Sequence, residues 1–130
     1  MKGCNLKMIQ NGEPNVDDRG LNVLINSKIL SNDEMLRAGF RLTQMDTWYL
    51  CRYVGDDQET TLNITISQDG SRLKIDVLDE AFCQPYDYQM LLGKDSTNQH
   101  ALNVMNNVET VMQLLSDAGI ITGWQKGMYI

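Results

Sequence analysis

One histidine and three cysteines are the side chains of this chain best suited to nucleophilic or general-base chemistry. Such chemistry most often pairs a cysteine with a histidine, and Cys83 with His100 is the pair to consider. His100, however, falls in the first turn of a predicted helix, where the helix dipole disfavours an imidazolium. Nothing around either residue supports a dyad. We therefore interpret His100 as a surface helix residue and predict no catalytic residue.

Four carboxylates, Asp76, Asp79, Glu80 and Asp87, follow closely on one another and could in principle hold Mg²⁺ or Ca²⁺. Their spacing does not match an EF-hand, and acidic residues after a strand are commonly part of a solvated turn. The chain also has no glycine-rich nucleotide loop, no nucleophile elbow and no zinc-protease motif. The sequence therefore predicts no metal and no cofactor.

An aromatic-rich segment, residues 82–90, is the stretch that could meet a protein partner. Tyrosine and phenylalanine are enriched at interfaces because a ring offers a large contact area, and tyrosine keeps a polar tip. The candidate partner-binding residues are Phe82, Tyr86, Asp87 and Tyr88. In the alternative interpretation, Phe82 and Met90 pack under the edge of the sheet and the tyrosines cover it.

Charge excludes some classes of partner. The chain has 130 residues, which indicates one domain, and a net charge of −6 with scattered lysines and arginines. Phosphate backbones and anionic lipids require clustered basic residues, so we predict neither nucleic-acid nor membrane binding.

No apolar stretch approaches the ~18 residues of a membrane span, and the N-terminus lacks a secretory core. A cytoplasmic protein is the expectation.

The cysteines are Cys4, Cys51 and Cys83. An odd number at wide spacing, with no Cys-x-x-Cys, is typical neither of a disulfide framework nor of a zinc site. The sequence predicts three reduced thiols, with Cys51 inside a strand.

A β-hairpin is the clearest element that could position these residues. Alternating apolar residues stand on both sides of Asp69-Gly70, which is a strong hairpin signal. The apolar residues are Leu62, Ile64 and Ile66 before the turn and Leu73, Ile75 and Val77 after it. The pattern predicts an antiparallel sheet with one apolar face and one wet face. Aromatic and alternating residues extend it to a four-stranded meander at about 40–45, 47–54, 60–67 and 72–78.

Helices are predicted on both sides of the meander. A capping box from Ser31 to Glu34 begins a short helix that ends at Gly39. Before it, residues 1–20 read as a loose arm or an edge strand at Leu6–Ile9, and the apolar run 21–30 fits a helix better than a strand. A short helical turn at Tyr86–Leu92 is also expected.

A long amphipathic helix follows a second capping box that starts at Ser96, and it runs to about Ala118. Its apolar residues fall within an arc of about 120°. They are Ala101, Val104, Met105, Val108, Val111, Met112 and Leu115. Gly119 is the expected C-cap, and residues 120–130 form a final strand or a packed tail.

These elements predict one α+β domain, with the long helix packed on one face of the four-stranded meander and a short N-terminal helix. The best functional interpretation is a non-enzymatic protein–protein interaction module, such as an adaptor, inhibitor or chaperone. Association into a homodimer is one form that such an interaction takes. The alternative is a small ligand-binding domain or enzyme with a pocket between sheet and helix, using Cys83, His100 or Asp79.

Overall fold

The computed structural model describes residues 25–130 and, before them, three short strands at 9–10, 15–16 and 22–23. The strands are β1 Ile9–Gln10, β2 Asn15–Val16, β3 Asn22–Val23, β4 Asn26–Ser27, β5 Arg41–Leu42, β6 Thr47–Tyr53, β7 Thr60–Ser67, β8 Arg72–Asp79, β9 Gln84–Pro85 and β10 Ile121–Thr122. The helices are α1 Asn32–Arg37, α2 Tyr88–Lys94 and α3 Gln99–Asp117.

The main sheet is antiparallel and has the strand order β1-β8-β7-β6-β5. Strands β1 and β9 both pair with the same edge of β8, β1 near its start and β9 near its end. Strands β6, β7 and β8 pair consecutively, and Ile64 lies opposite both Leu50 and Ile75. The predicted hairpin is therefore confirmed. The predicted four-stranded meander matches only roughly, since its first strand is two residues long and β1 and β9 add to the sheet.

One face of the sheet and one side of α3 form the core. The six alternating residues of the hairpin are all at most 5% exposed, and five α3 residues share their cluster. Those five are Ala101, Val104, Val108, Met112 and Leu115. Met105 and Val111, at the margin of the predicted arc, are partly buried against the same cluster. The amphipathic pattern thus identified the helix side that packs on the sheet.

The opposite face of the sheet is not wet at its centre, so that part of the prediction is wrong. Thr61 and Asn63 are 2% and 1% exposed. The Tyr49 hydroxyl donates to Asn63 Oδ1, Asn63 Nδ2 donates to Thr61 Oγ1 at 2.8 Å, and that hydroxyl donates to Glu80 Oε2 at 2.7 Å. Buried polar groups persist where they are paired in this way. Burial, followed by the neighbouring Cys51 and Glu80, raises the pKa of Tyr49 above its usual value.

The predicted helix over 21–30 is wrong for the part of it that the structure describes. Strand β3 pairs with β2, and β4 pairs with β10. Lys28 N–H also donates to the Ile120 carbonyl at 2.8 Å. A short apolar run fits either period, and a distant partner strand decided this one. Of the predicted edge strand Leu6–Ile9, Ile9 lies in β1, while the remainder and most of the 1–20 arm lie outside the described residues.

The helix caps follow local hydrogen bonding. Ser31 caps α1 as predicted, since its Oγ accepts from Glu34 N–H at 3.3 Å. The α3 cap is Asn98 rather than Ser96, and its Oδ1 accepts from Ala101 N–H at 3.1 Å. Asp95 explains the shift, because its carboxylate accepts from the backbone and the hydroxyl of Thr97 and so closes a separate turn before the helix.

Candidate functional site

The predicted tyrosine segment is split between surface and core. Phe82 is 74% exposed, whereas Tyr88 is fully buried. Helix α2 begins at Tyr88, with Asp87 as its N-cap accepting from Met90 N–H at 2.9 Å. The Tyr88 hydroxyl accepts from the Ile130 N–H at 2.9 Å, so this ring packs against the end of the described chain. Of the predicted contacts, Phe82 and the half-buried Tyr86 and Asp87 remain at the surface.

Tyr86 joins a hydrogen-bonded chain with the single histidine. Its hydroxyl lies 2.6 Å from His100 Nδ1, and His100 Nε2 lies 2.9 Å from Asp57 Oδ2. The tyrosine and histidine rings meet edge to face at 5.2 Å. Both ring nitrogens of His100 therefore have a hydrogen-bond partner, one on Tyr86 and one on Asp57.

Two groups of this hydrogen-bonded chain, Asp57 and Tyr86, have shifted pKa values. Backbone hydrogen bonding from Glu59, followed by the contact with His100, holds the pKa of the Asp57 carboxyl below its usual value. Burial, together with the charges of Asp57 and Asp79, raises the pKa of Tyr86 above its usual value. The Tyr86 hydroxyl therefore stays protonated at neutral pH, which makes it a poor nucleophile. The arrangement ties the turn after β6, the segment after β9 and the start of α3 together.

The sequence offered no signal for this hydrogen-bonded set of side chains, because Asp57 and His100 are 43 positions apart. The expectation of a surface helix residue holds in part, since the His100 side chain is 32% exposed, but both ring nitrogens are engaged. A dyad with Cys83 is absent because Cys83 forms a disulfide. The prediction of a reduced thiol is wrong for Cys83, and Cys51 is a free, exposed thiol. Cys4 lies outside the described residues.

A second candidate surface is the outer side of α3. Leu114 is 64% exposed there and stands between two depressions. The first has a volume of about 560 Å³ and is lined by Asn106, Glu109, Thr110, Gln113, Leu114, Trp124 and Lys126. The second has a volume of about 500 Å³ and is lined by Leu30, Glu34, Arg37, Ala38, Arg52, Leu114, Leu115 and Ala118. We call this region the α3 outer face.

Hydrogen bonds shape both sides of the α3 outer face. Glu109 Oε2 accepts from Gly127 N–H at 2.8 Å, which holds the segment after β10 against the helix. Gln113 Nε2 donates to Asp117 Oδ1 at 2.8 Å. On the other side, Gly39 has φ +103°, and a Cβ there would lie 1.8 Å from the Arg52 guanidinium. This glycine therefore ends α1 and also leaves room for Arg52.

Sequence reasoning did not select Leu114, although a signal was present. It is a large apolar residue that falls outside the apolar arc of an amphipathic helix. The Leu114 side chain is exposed because it lies outside the arc that packs on the sheet. This exposed leucine distinguishes the α3 outer face from an ordinary polar helix surface.

Within residues 25–130 and the three preceding strands, no group of three or more His, Cys, Asp or Glu side chains is arranged to hold a metal ion. The described helices also include none that is both long and apolar enough to cross a membrane.

Comparisons with known proteins show the fold alone. No family model matches the chain, and no curated protein matches it. A crystal structure of a DUF1831 family protein from Lactobacillus plantarum, at 1.20 Å resolution, is similar to it with a TM-score of 0.57. The two are 12% identical, and the match covers 94% of this chain and 97% of that chain. The likeness supports an α+β architecture.

Proposed function

We propose that this protein is a non-enzymatic protein-binding module and that the α3 outer face is its docking surface. The observation that carries the proposal is Leu114, 64% exposed on a ridge between two depressions. A solitary exposed leucine is ordinary on a protein surface. A leucine flanked by hollows, by contrast, offers both a knob for a partner and recesses that receive the partner's side chains.

The chemistry around the ridge suits a protein partner. Arg37 and Arg52 line one depression together with Glu34, and Lys126 lines the other together with Glu109. Arginine is enriched at interfaces, and mixed charges around an apolar centre are the usual composition of a rim. This rim supports recognition of a mixed-charge protein surface in preference to a strongly basic or acidic polymer.

The alternative, a ligand pocket between sheet and helix, is less well supported. Leu62, Ile64, Val108 and Met112 are fully buried in one cluster that fills this space. Two of the residues suggested for such a pocket are also engaged in other bonds, since Cys83 forms a disulfide and His100 bonds to Tyr86 and Asp57.

The proposed partner surface includes Phe82 and Tyr86 as a second contact, with Asp87 and Tyr88 holding that segment in place.

The test is a matched pair of surface substitutions. The protein is used to capture a partner from a lysate of its source, and the partner is identified, purified and measured for affinity. Leu114→Asp places a charge on the ridge, and we expect it to weaken the Kd at least tenfold. Met45→Asp is the control, because Met45 is 84% exposed in the turn between β5 and β6. Equal affinities for the two variants would refute the proposal.

A further inference from the structure

We infer that the second depression of the α3 outer face binds a carboxylate of the partner, on an Asp or Glu side chain that stands beside an apolar residue in a short segment. This inference rests on the proposed function and deepens it by naming the chemical group that is recognised. Three observations support it: the lining of the depression, the unused donors of two arginines and the balance of charge.

The lining of this depression combines apolar walls with charged groups. Helix α1 contributes residues three and four positions apart, which therefore share one side of that helix. The end of α3 contributes a similar group, and Arg52 lines the depression from β6. The apolar members are Leu30, Ala38, Leu114, Leu115 and Ala118. The charged members are Glu34, Arg37 and Arg52. At about 500 Å³, the depression has the size of a small-ligand site.

Arg52 is held in place by its neighbours and keeps most of its donors available. One terminal nitrogen donates to the Cys51 carbonyl at 3.2 Å, and no other partner of this side chain lies among the described residues. The guanidinium also lies against Gly39, where a Cβ would collide with it. A guanidinium has five N–H donors in one plane. Those that remain can bind a carboxylate through two parallel hydrogen bonds, with little loss of conformational freedom.

Arg37 is a second cation of the same depression. It stands in the last turn of α1, and its side chain has neither a hydrogen bond nor an ion pair within the part of the chain that the structure describes. Glu34, one turn away, accepts from the Ser31 hydroxyl at 2.9 Å instead. Two permanently charged groups that line one depression repel each other. A carboxylate bound there relieves this repulsion.

The balance of charge favours a carboxylate over a phosphate. Two arginines and one glutamate give the depression a surplus of one positive charge, although the whole chain carries −6. A single carboxylate matches this surplus. A phosphate group carries about 1.5–2 negative charges at neutral pH, so the Glu34 carboxylate would repel it more strongly. The apolar walls then receive the side chain beside the partner's carboxylate.

NMR titration of the isotope-labelled chain with synthetic peptides tests the inference. Three peptides share the sequence Ser-Leu-X-Leu-Ser, in which X is Glu, Gln or phosphoserine. Both ends are blocked, so the central side chain carries the only charge. The Glu peptide should shift the backbone amide signals of residues 34–38 and 114–118, and it should bind at least tenfold more tightly than the other two. Added salt should weaken its binding.

Arg52→Gln and Arg41→Gln form a matched pair of variants. Arg52→Gln removes one guanidinium from the depression, and we expect it to weaken the binding of the Glu peptide at least fivefold. Arg41→Gln should leave the affinity unchanged, because Arg41 is also an exposed strand arginine but does not line the depression. Both positions are exposed, so both variants should stay folded, and their amide spectra check this.

The peptide results decide whether the recognised group is a carboxylate. Equal binding of the Glu and Gln peptides, or no binding of the Glu peptide at millimolar concentration, overturns the inference. Tighter binding of the phosphoserine peptide refutes it in favour of a phosphate. Shifts of the same amide signals that depend on protein concentration alone would show a second copy of this chain in the depression and would also overturn it.

The captured partner separates this inference from the proposed function. A partner whose affinity falls with Leu114→Asp but not with Arg52→Gln leaves the α3 outer face as the docking surface and refutes the carboxylate. A partner that Leu114→Asp does not affect refutes the docking surface. In that case, binding of the Glu peptide that depends on Arg52 still supports a carboxylate site in the depression.

Discussion

The side chains of His100, Tyr86 and Asp57 together link distant parts of the chain. The side chains of His100 and Asp57 are 32% and 37% exposed, and a polar contact at such exposure contributes about 0–1 kcal/mol. The hydrogen bond between the Tyr86 hydroxyl and His100 Nδ1 adds to this on the same imidazole. The link is therefore of modest strength, and its parts should depend on one another because they share one ring.

A double-mutant cycle measures this dependence. His100→Ala should remain folded and should lower the free energy of unfolding by about 1–2 kcal/mol, since it removes two hydrogen bonds of about 0.5–1.5 kcal/mol each. Tyr86→Phe should cost about 1 kcal/mol alone and markedly less in the His100→Ala background. Urea denaturation of the four proteins gives the coupling energy. Additive effects would show that the two residues do not interact.

The turn of the β7–β8 hairpin contains a carboxylate whose charge is stabilised by folding. Hydrogen bonds from the Ser71 hydroxyl, the Ser71 backbone and the Ser67 hydroxyl lower the pKa of Asp69 from 3.8 to about 2. Because the folded pKa lies below the unfolded one, this carboxylate stabilises the fold above about pH 4. The contribution is lost as the pH falls from about 4 towards 2.

Asp69→Asn tests that assignment through the pH dependence of the melting temperature. The wild type should melt at a higher temperature than the variant at pH 6, and the difference should shrink between pH 4 and pH 2. Asp46→Asn is a suitable control because Asp46 is another exposed turn aspartate, which lies between β5 and β6. A difference that stays constant with pH would mean that the charge of Asp69 has no part in the stability of the turn.

At the scale of elements, the hairpin and α3 form one core. Ile75 is 5% exposed and lies opposite Ile64 in the register of β7 and β8. Ile75→Ala should lower the free energy of unfolding by roughly 2–5 kcal/mol, because it removes buried methylenes and leaves a cavity beneath α3. Leu42→Ala at a 46% exposed strand position is the control and should cost much less. Chemical denaturation of both variants checks the comparison.

Elements whose signal is local could be predicted from the sequence. The period of two around Asp69-Gly70 predicted β7 and β8, and the apolar arc predicted the packed side of α3, including Val108 and Leu115. The cap at Ser31 was also correct, since it depends on a residue three positions away. These features depend on neighbours in the chain, which the sequence displays directly.

Elements whose signal is distant could not be predicted in the same way. Strand β4 exists because residues 26–27 pair with 121–122, and no local pattern announces such a partner. Asn63 was expected to face water and instead lies in a buried hydrogen-bonded network. The α3 outer face has the same origin, because its depressions are formed by α1 on one side and by the segment after β10 on the other.

At the scale of the whole molecule, one sheet meets two kinds of environment. The face under α3 is closed by apolar packing, and the opposite face has a buried polar centre in which Asn63, Thr61 and Glu80 are paired. The core is thus specified by close packing on one side and by hydrogen-bond geometry on the other. Leu114 belongs to neither layer and is 64% exposed, so a charge at this position should not disturb the fold.

The consecutive pairing of β6, β7 and β8 also has a consequence for how fast the chain folds. Strands that follow one another in the chain pair by closing short loops, which costs little conformational entropy. The meander can therefore form before α3 packs on it. Ile64→Ala should therefore mainly slow refolding, whereas Val108→Ala should mainly accelerate unfolding. Stopped-flow refolding and unfolding of the two variants separate these effects. Equal slowing of refolding by both would mean that helix and meander assemble in a single step.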